Sequence, residues 1–209
     1  MRTTLRLTTA AAAGAALLFA LVGATSSSTE AMDPTPTPKP AATTYSVDLG
    51  HSNILFRCKH LGVAYQWGRF DKFEGSFTLA DDASASNVSI TVDAASVNSN
   101  SPDRDKHLRA ADFFSVKEFP EMTFASSKVA KKSDDIFTIT GDLTLHGVTK
   151  EISFDVTKIG EADTGRMGRR AGFEGSFVID RMDYGVKAYP DMLGQDVTMT
   201  FAIEGVAKK

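Results

Sequence analysis

The side chains able to do chemistry in this 209-residue chain are few and scattered. Four histidines, His51, His60, His107 and His146, are the natural metal ligands. No two of them stand at the i, i+2 or i, i+4 spacing that puts paired imidazoles on one strand face or helix turn. Ser101, Asp105 and His107 supply the residue types of a nucleophile relay, but nothing in their spacing orders them, and no G-x-S-x-G elbow is present. Cys58 is the single cysteine. It alternates in phase with Ile54 and Phe56, the pattern of a buried small hydrophobe, and no CxxC partner or adjacent base activates it. These residues therefore predict no catalytic site, no metal site and no cofactor.

The elements around these residues have a more regular pattern. The pentapeptide FEGSF occurs at Phe73–Phe77 and again at Phe173–Phe177. In the first copy Phe73, Gly75, Phe77 and Leu79 share one face; in the second, Phe173, Gly175, Phe177 and Ile179 do. Polar residues fill the opposite faces, and a period of two marks a half-buried strand. The same rhythm runs through Tyr45–Leu49, Val88–Asp93, Phe137–Leu145, Val148–Val156 and Val197–Glu204, and Met122–Val129 is a further candidate. His146-Gly147 is placed as a two-residue hairpin turn. The stretch from Ser101 to Phe114 breaks the rhythm, with Pro102 near its start and Leu108, Ala111 and Phe114 at helical spacing; it predicts a short helix in a connection. Arg181 and Asp183 are expected to form an ion pair in a turn, and Arg57, out of phase with the apolar face, to be solvated.

The first residues belong to no such pattern. Arg2 and Arg6 precede an uncharged apolar run from Ala10 to Val22, followed by small residues at Val22-Gly23-Ala24. Residues 1–24 read as a signal peptide, with cleavage as late as 31 as the second choice, which predicts a periplasmic or secreted protein. The run is shorter than the ~20 apolar residues of a spanning helix, so no stable membrane insertion is expected after cleavage. Residues 25–43, with Pro34, Pro36, Pro38 and Pro40, read as an extended linker. Residues 44–209 suit a single core. The linker and signal carry three of the 23 basic and two of the 26 acidic residues, leaving the domain near −4. With no basic excess, nucleic acid is not an expected partner.

Strands with one apolar and one polar face are antiparallel, and they pack as a two-sheet sandwich or a closed barrel. Gly75, Gly141 and Gly175 fall on the apolar face in mid-strand. Glycine there calls for a bend or a close neighbour, and its missing side chain also leaves room on the inner face.

Five ordered stretches carry a resemblance to a known family. They are YSVDLGHSNILFRCKHLG (Tyr45–Gly62), WGRFDKFEGSF (Trp67–Phe77), DKHLRAADFFSVKEFPEMTFAS (Asp105–Ser126), GDLTLHGVTKEISFDV (Gly141–Val156) and GFEGSFVIDRMDYG (Gly172–Gly185). Together they resemble the YceI-like proteins across essentially the whole domain. The resemblance implies a mainly β fold, an antiparallel eight-stranded lipocalin-like barrel with one or two short helices in its connections. It implies a binding protein rather than an enzyme, with a pore that holds an isoprenoid chain, as in a polyprenyl compound or quinone tail, or another long amphiphile. The residues expected to line that pore are Phe56, Phe73, Gly75, Phe77, Phe124, Ile139 and Leu143. Further along the chain they are Phe154, Phe173, Gly175, Phe177, Ile179, Phe201 and Ile203. His51 and His60 flank one strand and are expected to contact a headgroup. A closed-core domain acting through its outer surface, and an enzyme acting on a bound lipid, are the alternatives; a homodimer stays open.

Overall fold

The computed structural model describes residues 42–208. Among these residues, alternating apolar positions make eleven strands, and the stretch after Ser101 makes one α-helix. These are β1 (Ala42–Val47), β2 (Asn53–His60), β3 (Ala64–Phe70), β4 (Phe73–Ala80), β5 (Asn87–Asp93), β6 (Val97–Asn98), α1 (Pro102–Leu108), β7 (Glu121–Lys131), β8 (Ile136–Leu145), β9 (Val148–Asp163), β10 (Arg169–Asp180) and β11 (Leu193–Ala207). Every pairing is antiparallel.

The pairings resolve into eight staves. β11 pairs with β1 at one end (Val47↔Gly205) and with β2 along the rest (Phe56↔Met199), so β1 and β2 are one stave interrupted at Leu49–His51. β4 lies against β1 and β3 against β2, making the second stave. β5 and β6 make the third. β7 to β11 follow in chain order, and β11 meets β1 to close the ring. The barrel is the expected fold, and its staves neighbour one another in chain order, the up-and-down arrangement.

Side-chain turns make the breaks. Asp48 accepts from the Gly50 amide at 3.0 Å and Asp93 from the Ala95 amide at 2.9 Å, each turning the chain over one short 3-10 segment. The second and third breaks lie side by side: the Lys72 amide donates to Ser96 Oγ at 3.0 Å, and the Asp93 amide to the Lys72 carbonyl at 3.0 Å. The stretch Trp67–Phe77, similar to one family strand, is thus two strands with Asp71 and Lys72 between them. β1 begins at Ala42, inside the stretch read as linker. The signal segment and the rest of the linker lie outside the described residues.

The hairpin turn falls at His146-Gly147 as expected, both residues at positive φ (52° and 74°), the signature of a type I′ turn. The helix is shorter than its spacing predicts: α1 stops at Leu108, and Phe113 and Phe114 follow in turns. One end of the barrel, here the upper end, carries the β2–β3 turn, α1 with its flanking loops, the β8–β9 turn and the loop after β10. The lower end carries the β4–β5, β7–β8 and β9–β10 connections.

One seam in the wall is incomplete. β9 and β10 pair from Arg169↔Asp163 up to Gly175↔Val156, and the pairing stops there. Above it, residues 148–155 of β9 pair as a strand only with β8, and residues 176–180 of β10 only with β11. Phe154 and Phe177 stack across this gap at 4.7 Å, and Lys150 Nζ reaches Asp183 at 2.8 Å above them.

Candidate ligand-binding cavity

An eight-stranded barrel is just wide enough for side chains to fill it or for one ligand to replace some of them. Here the filling is incomplete. Buried side chains gather in an upper cluster around Phe70, Phe73, Met122 and Tyr184, and a smaller lower one around Tyr45 and Phe77. Between them Phe124, Phe154, Phe177 and Phe201 point inward but are only partly buried. Their rings form one cluster, with Phe124–Phe154 centroids at 5.4 Å and Phe154–Phe201 at 5.8 Å. The space they border is a cavity of about 1210 Å³ that runs the length of the barrel. That exceeds the ~300–1,000 Å³ of an ordinary small-molecule pocket.

The cavity is lined by Phe56, Phe77, Phe124, Ile139, Leu143 and Phe154, and across the barrel by Phe173, Phe177, Ile179, Phe201 and Ile203. The predicted positions Phe73, Gly75 and Gly175 are not among its lining. Phe73 is packed into the upper core. The two glycines are filled from the neighbouring strand. A Cβ on Gly75 would lie 2.2 Å from the Ser89 carbonyl oxygen, and one on Gly175 would lie 2.6 Å from Phe201 Cζ. Their missing side chains admit a neighbouring backbone and a neighbouring ring, so the space they leave does not belong to the cavity.

The two histidines separate. His60 borders the cavity at its upper end, with Gln66, Arg104, His107, Tyr189 and Met192. His51 lies at the first stave break, away from the cavity, with Nδ1 3.0 Å from Asp48 Oδ2. Asp48, His51 and Glu204 bring three potential metal-binding atoms together. Arg170 Nη1 already donates to both carboxylates there, at 2.8 Å to Asp48 and in a shorter contact to Glu204.

Sequence reasoning missed three further features. Arg181 does not pair with Asp183. It is buried at the cavity wall, donating to the carbonyls of Gly194 (2.8 Å), Val186 (2.7 Å), Ala188 (2.9 Å) and Leu193 (3.2 Å), while Asp183 takes Lys150. A guanidinium can tie together a loop whose carbonyls lack strand partners. Arg57 is not freely solvated: its guanidinium lies 4.5 Å from the Tyr65 ring centroid and 5.5 Å from that of Trp67. The third is Cys58, which borders the cavity with its thiol 3.3 Å from the Gly194 carbonyl. Burial pushes that thiol up, against the opposing field of Arg181.

At the lower end Glu161 accepts from Tyr45 Oη at 2.6 Å, Lys158 Nζ at 2.7 Å and Arg169 Nη2 at 2.8 Å. Burial alone would raise its carboxyl. The bonds from Lys158, Tyr45 and Arg169 outweigh burial and hold it at about 2. Glu161, Lys158 and Arg169 of this polar knot border the cavity opposite the His60 end, as does Phe77, which stacks on the buried Tyr45 at 5.1 Å. The interior is thus an apolar channel with polar groups concentrated at its ends, an arrangement that suits a long chain.

Comparison with known proteins gives the same outline. The YceI-like domain family model matches residues 45–205. Protein YceI of Escherichia coli O17:K52:H18 is 40% identical over 160 residues, covering 76% of this chain and 83% of that protein. Among solved structures, BcnA of Burkholderia cenocepacia superposes with a TM-score of 0.70 at 23% identity, covering 76% of this chain and 98% of that one. A polyisoprenoid binding domain from Saccharophagus degradans superposes with a TM-score of 0.62 at 18% identity, covering 78% and 98%.

Proposed function

The chain belongs to the YceI-like domain family, and we propose that it is an exported binding protein that holds the chain of an isoprenoid or similar long amphiphile along its barrel axis. The observation that carries this reading is the 1210 Å³ cavity walled by inward phenylalanines. The Saccharophagus neighbour, a polyisoprenoid binding domain on the same fold, supports it. A chain that buries on the order of 500 Å² of its own apolar surface gains about 12 kcal/mol at ~25 cal/mol/Å². Ordering the chain offsets a large part of that, which leaves room for sub-micromolar binding without strong polar contacts. The His60, Gln66 and Arg104 end receives the headgroup. Holding and releasing a ligand is the whole of the activity in this reading, and the signal-like start supports work in the periplasm or outside the cell.

The test is mass spectrometry of organic extracts from protein purified from its native host, together with titration by geranylgeraniol delivered from cyclodextrin. Ile139→Asp, which puts a carboxylate on the cavity wall, is the comparison, with far-ultraviolet circular dichroism to establish folding. A stoichiometric isoprenoid and saturable uptake in the wild type alone are expected. Uptake that is equal in a folded Ile139→Asp variant would refute the cavity as the site.

A further inference from the structure

Exposed large apolar side chains are unevenly spread over this barrel. Leu61, Val63, Tyr65, Trp67, Tyr189 and Met192 all gather at the upper end. They are contiguous. Lys59 pairs with Tyr65 and Arg57 with Trp67 across β2 and β3, and the Leu61 amide donates to the Met192 carbonyl at 2.7 Å. Val63, at the tip of the β2–β3 turn, is 83% exposed. Leu61 beside it holds a left-handed φ of 52°, a conformation unfavourable for a leucine. Trp67, Tyr189 and Met192 also border the cavity, so the patch rings its upper mouth.

We propose that this upper rim docks on the surface of a lipid bilayer, placing the cavity mouth against the membrane. The inference rests on the lipid-binding reading, since an apolar ligand that crosses a docked mouth avoids open water. The residue chemistry fits a bilayer interface: two aliphatic side chains at a projecting tip, flanked by tryptophan and tyrosine at headgroup depth. Charge fits as well. Arg57 and Lys59 lie beside the patch with no carboxylate within ion-pair distance among the described residues, on a domain of net negative charge. Anionic lipid is the surface that such unpaired cations favour.

Trp67 is the only tryptophan and serves as the reporter. The protein is mixed with phosphatidylcholine vesicles, with and without phosphatidylglycerol, both free of isoprenoid. A blue shift of Trp67 emission and co-sedimentation are expected, stronger with phosphatidylglycerol and weakened by salt. Leu61→Asp with Val63→Asp should lower vesicle partitioning about 100-fold, since each side chain loses most of its transfer free energy. Geranylgeraniol uptake from cyclodextrin should be unchanged, because neither residue borders the cavity. Normal uptake with no vesicle response overturns the docking and leaves the binding function standing. A vesicle response without uptake supports the docking and removes the binding function instead. A concentration-dependent shift without vesicles, with a doubled mass by light scattering, makes the patch a self-interface and overturns the proposal.

Discussion

Replacing Gly75 by alanine separates two roles that a mid-strand glycine could have. If the glycine keeps space for a ligand, a methyl group there should impair binding and leave the wall intact. The geometry predicts the reverse. The new Cβ would lie 2.2 Å from the Ser89 oxygen and 3.0 Å from Ile90 Cα, both backbone atoms of β5. Ordinary contact would require β4 and β5 to part by about 1 Å at Gly75↔Ile90. Two weakened ladder bonds cost about 1 kcal/mol each, and local overpacking about 1–3 kcal/mol. Reduced freedom of the unfolded chain returns about 0.5–1 kcal/mol. The net loss is about 2–4 kcal/mol, read as a fall of about 1–2 M in the urea midpoint for a slope near ~2 kcal/mol/M. Gly160→Ala is the control, because its Cβ would meet nothing within 4 Å and its φ is unexceptional; it should shift stability by less than ~0.5 kcal/mol. Geranylgeraniol affinity of the folded Gly75→Ala protein should match wild type. Wild-type stability combined with lost affinity would refute the reasoning and return Gly75 to the ligand.

Gly175→Ala should behave differently, since what it meets is the Phe201 ring, which can swing into the cavity; affinity should fall about tenfold with a smaller stability loss. Glu161 contributes stability above its unfolded value near 4.5 that is lost as the pH falls toward about 2. The full shift corresponds to about 3 kcal/mol and solvent screening reduces it to about 1 kcal/mol. Urea midpoints of wild type and Glu161→Gln should therefore differ at pH 6 and converge near pH 2. Cys58 should react slowly with maleimide at neutral pH because burial raises its thiol, and about tenfold more slowly when geranylgeraniol fills the cavity it borders. Equal rates with and without geranylgeraniol would place the ligand elsewhere. Hydrogen exchange should be fastest, among wall strands, at the unpaired edges of residues 148–155 and 176–180, and exchange there as slow as in β7–β8 would mean the seam is closed in solution.

Much of this protein is legible along the chain, because alternation is a local property. Glu74, Ser76, Phe73 and Phe77 declare a strand and its two faces without reference to any partner. His146-Gly147 declares its turn in the same way, since few residue pairs accept two successive positive φ values. From such signals come antiparallel strands with an inward phenylalanine face, while alternation alone leaves sandwich and barrel open and the family resemblance supplies the barrel. Tertiary structure decided what each inward position meets. Gly75 and Gly175 stand in identical pentapeptides, yet one is filled by a backbone carbonyl and the other by a phenylalanine ring. Arg181 and Asp183 are near in sequence but bond elsewhere, because the loop from Val186 to Leu193 brings carbonyls to the one and β9 brings Lys150 to the other. The stave breaks, the open β9–β10 seam and the position of His51 away from the cavity have the same origin. Register between strands far apart in sequence is set by the packing of the whole barrel, and no stretch of the chain contains it alone.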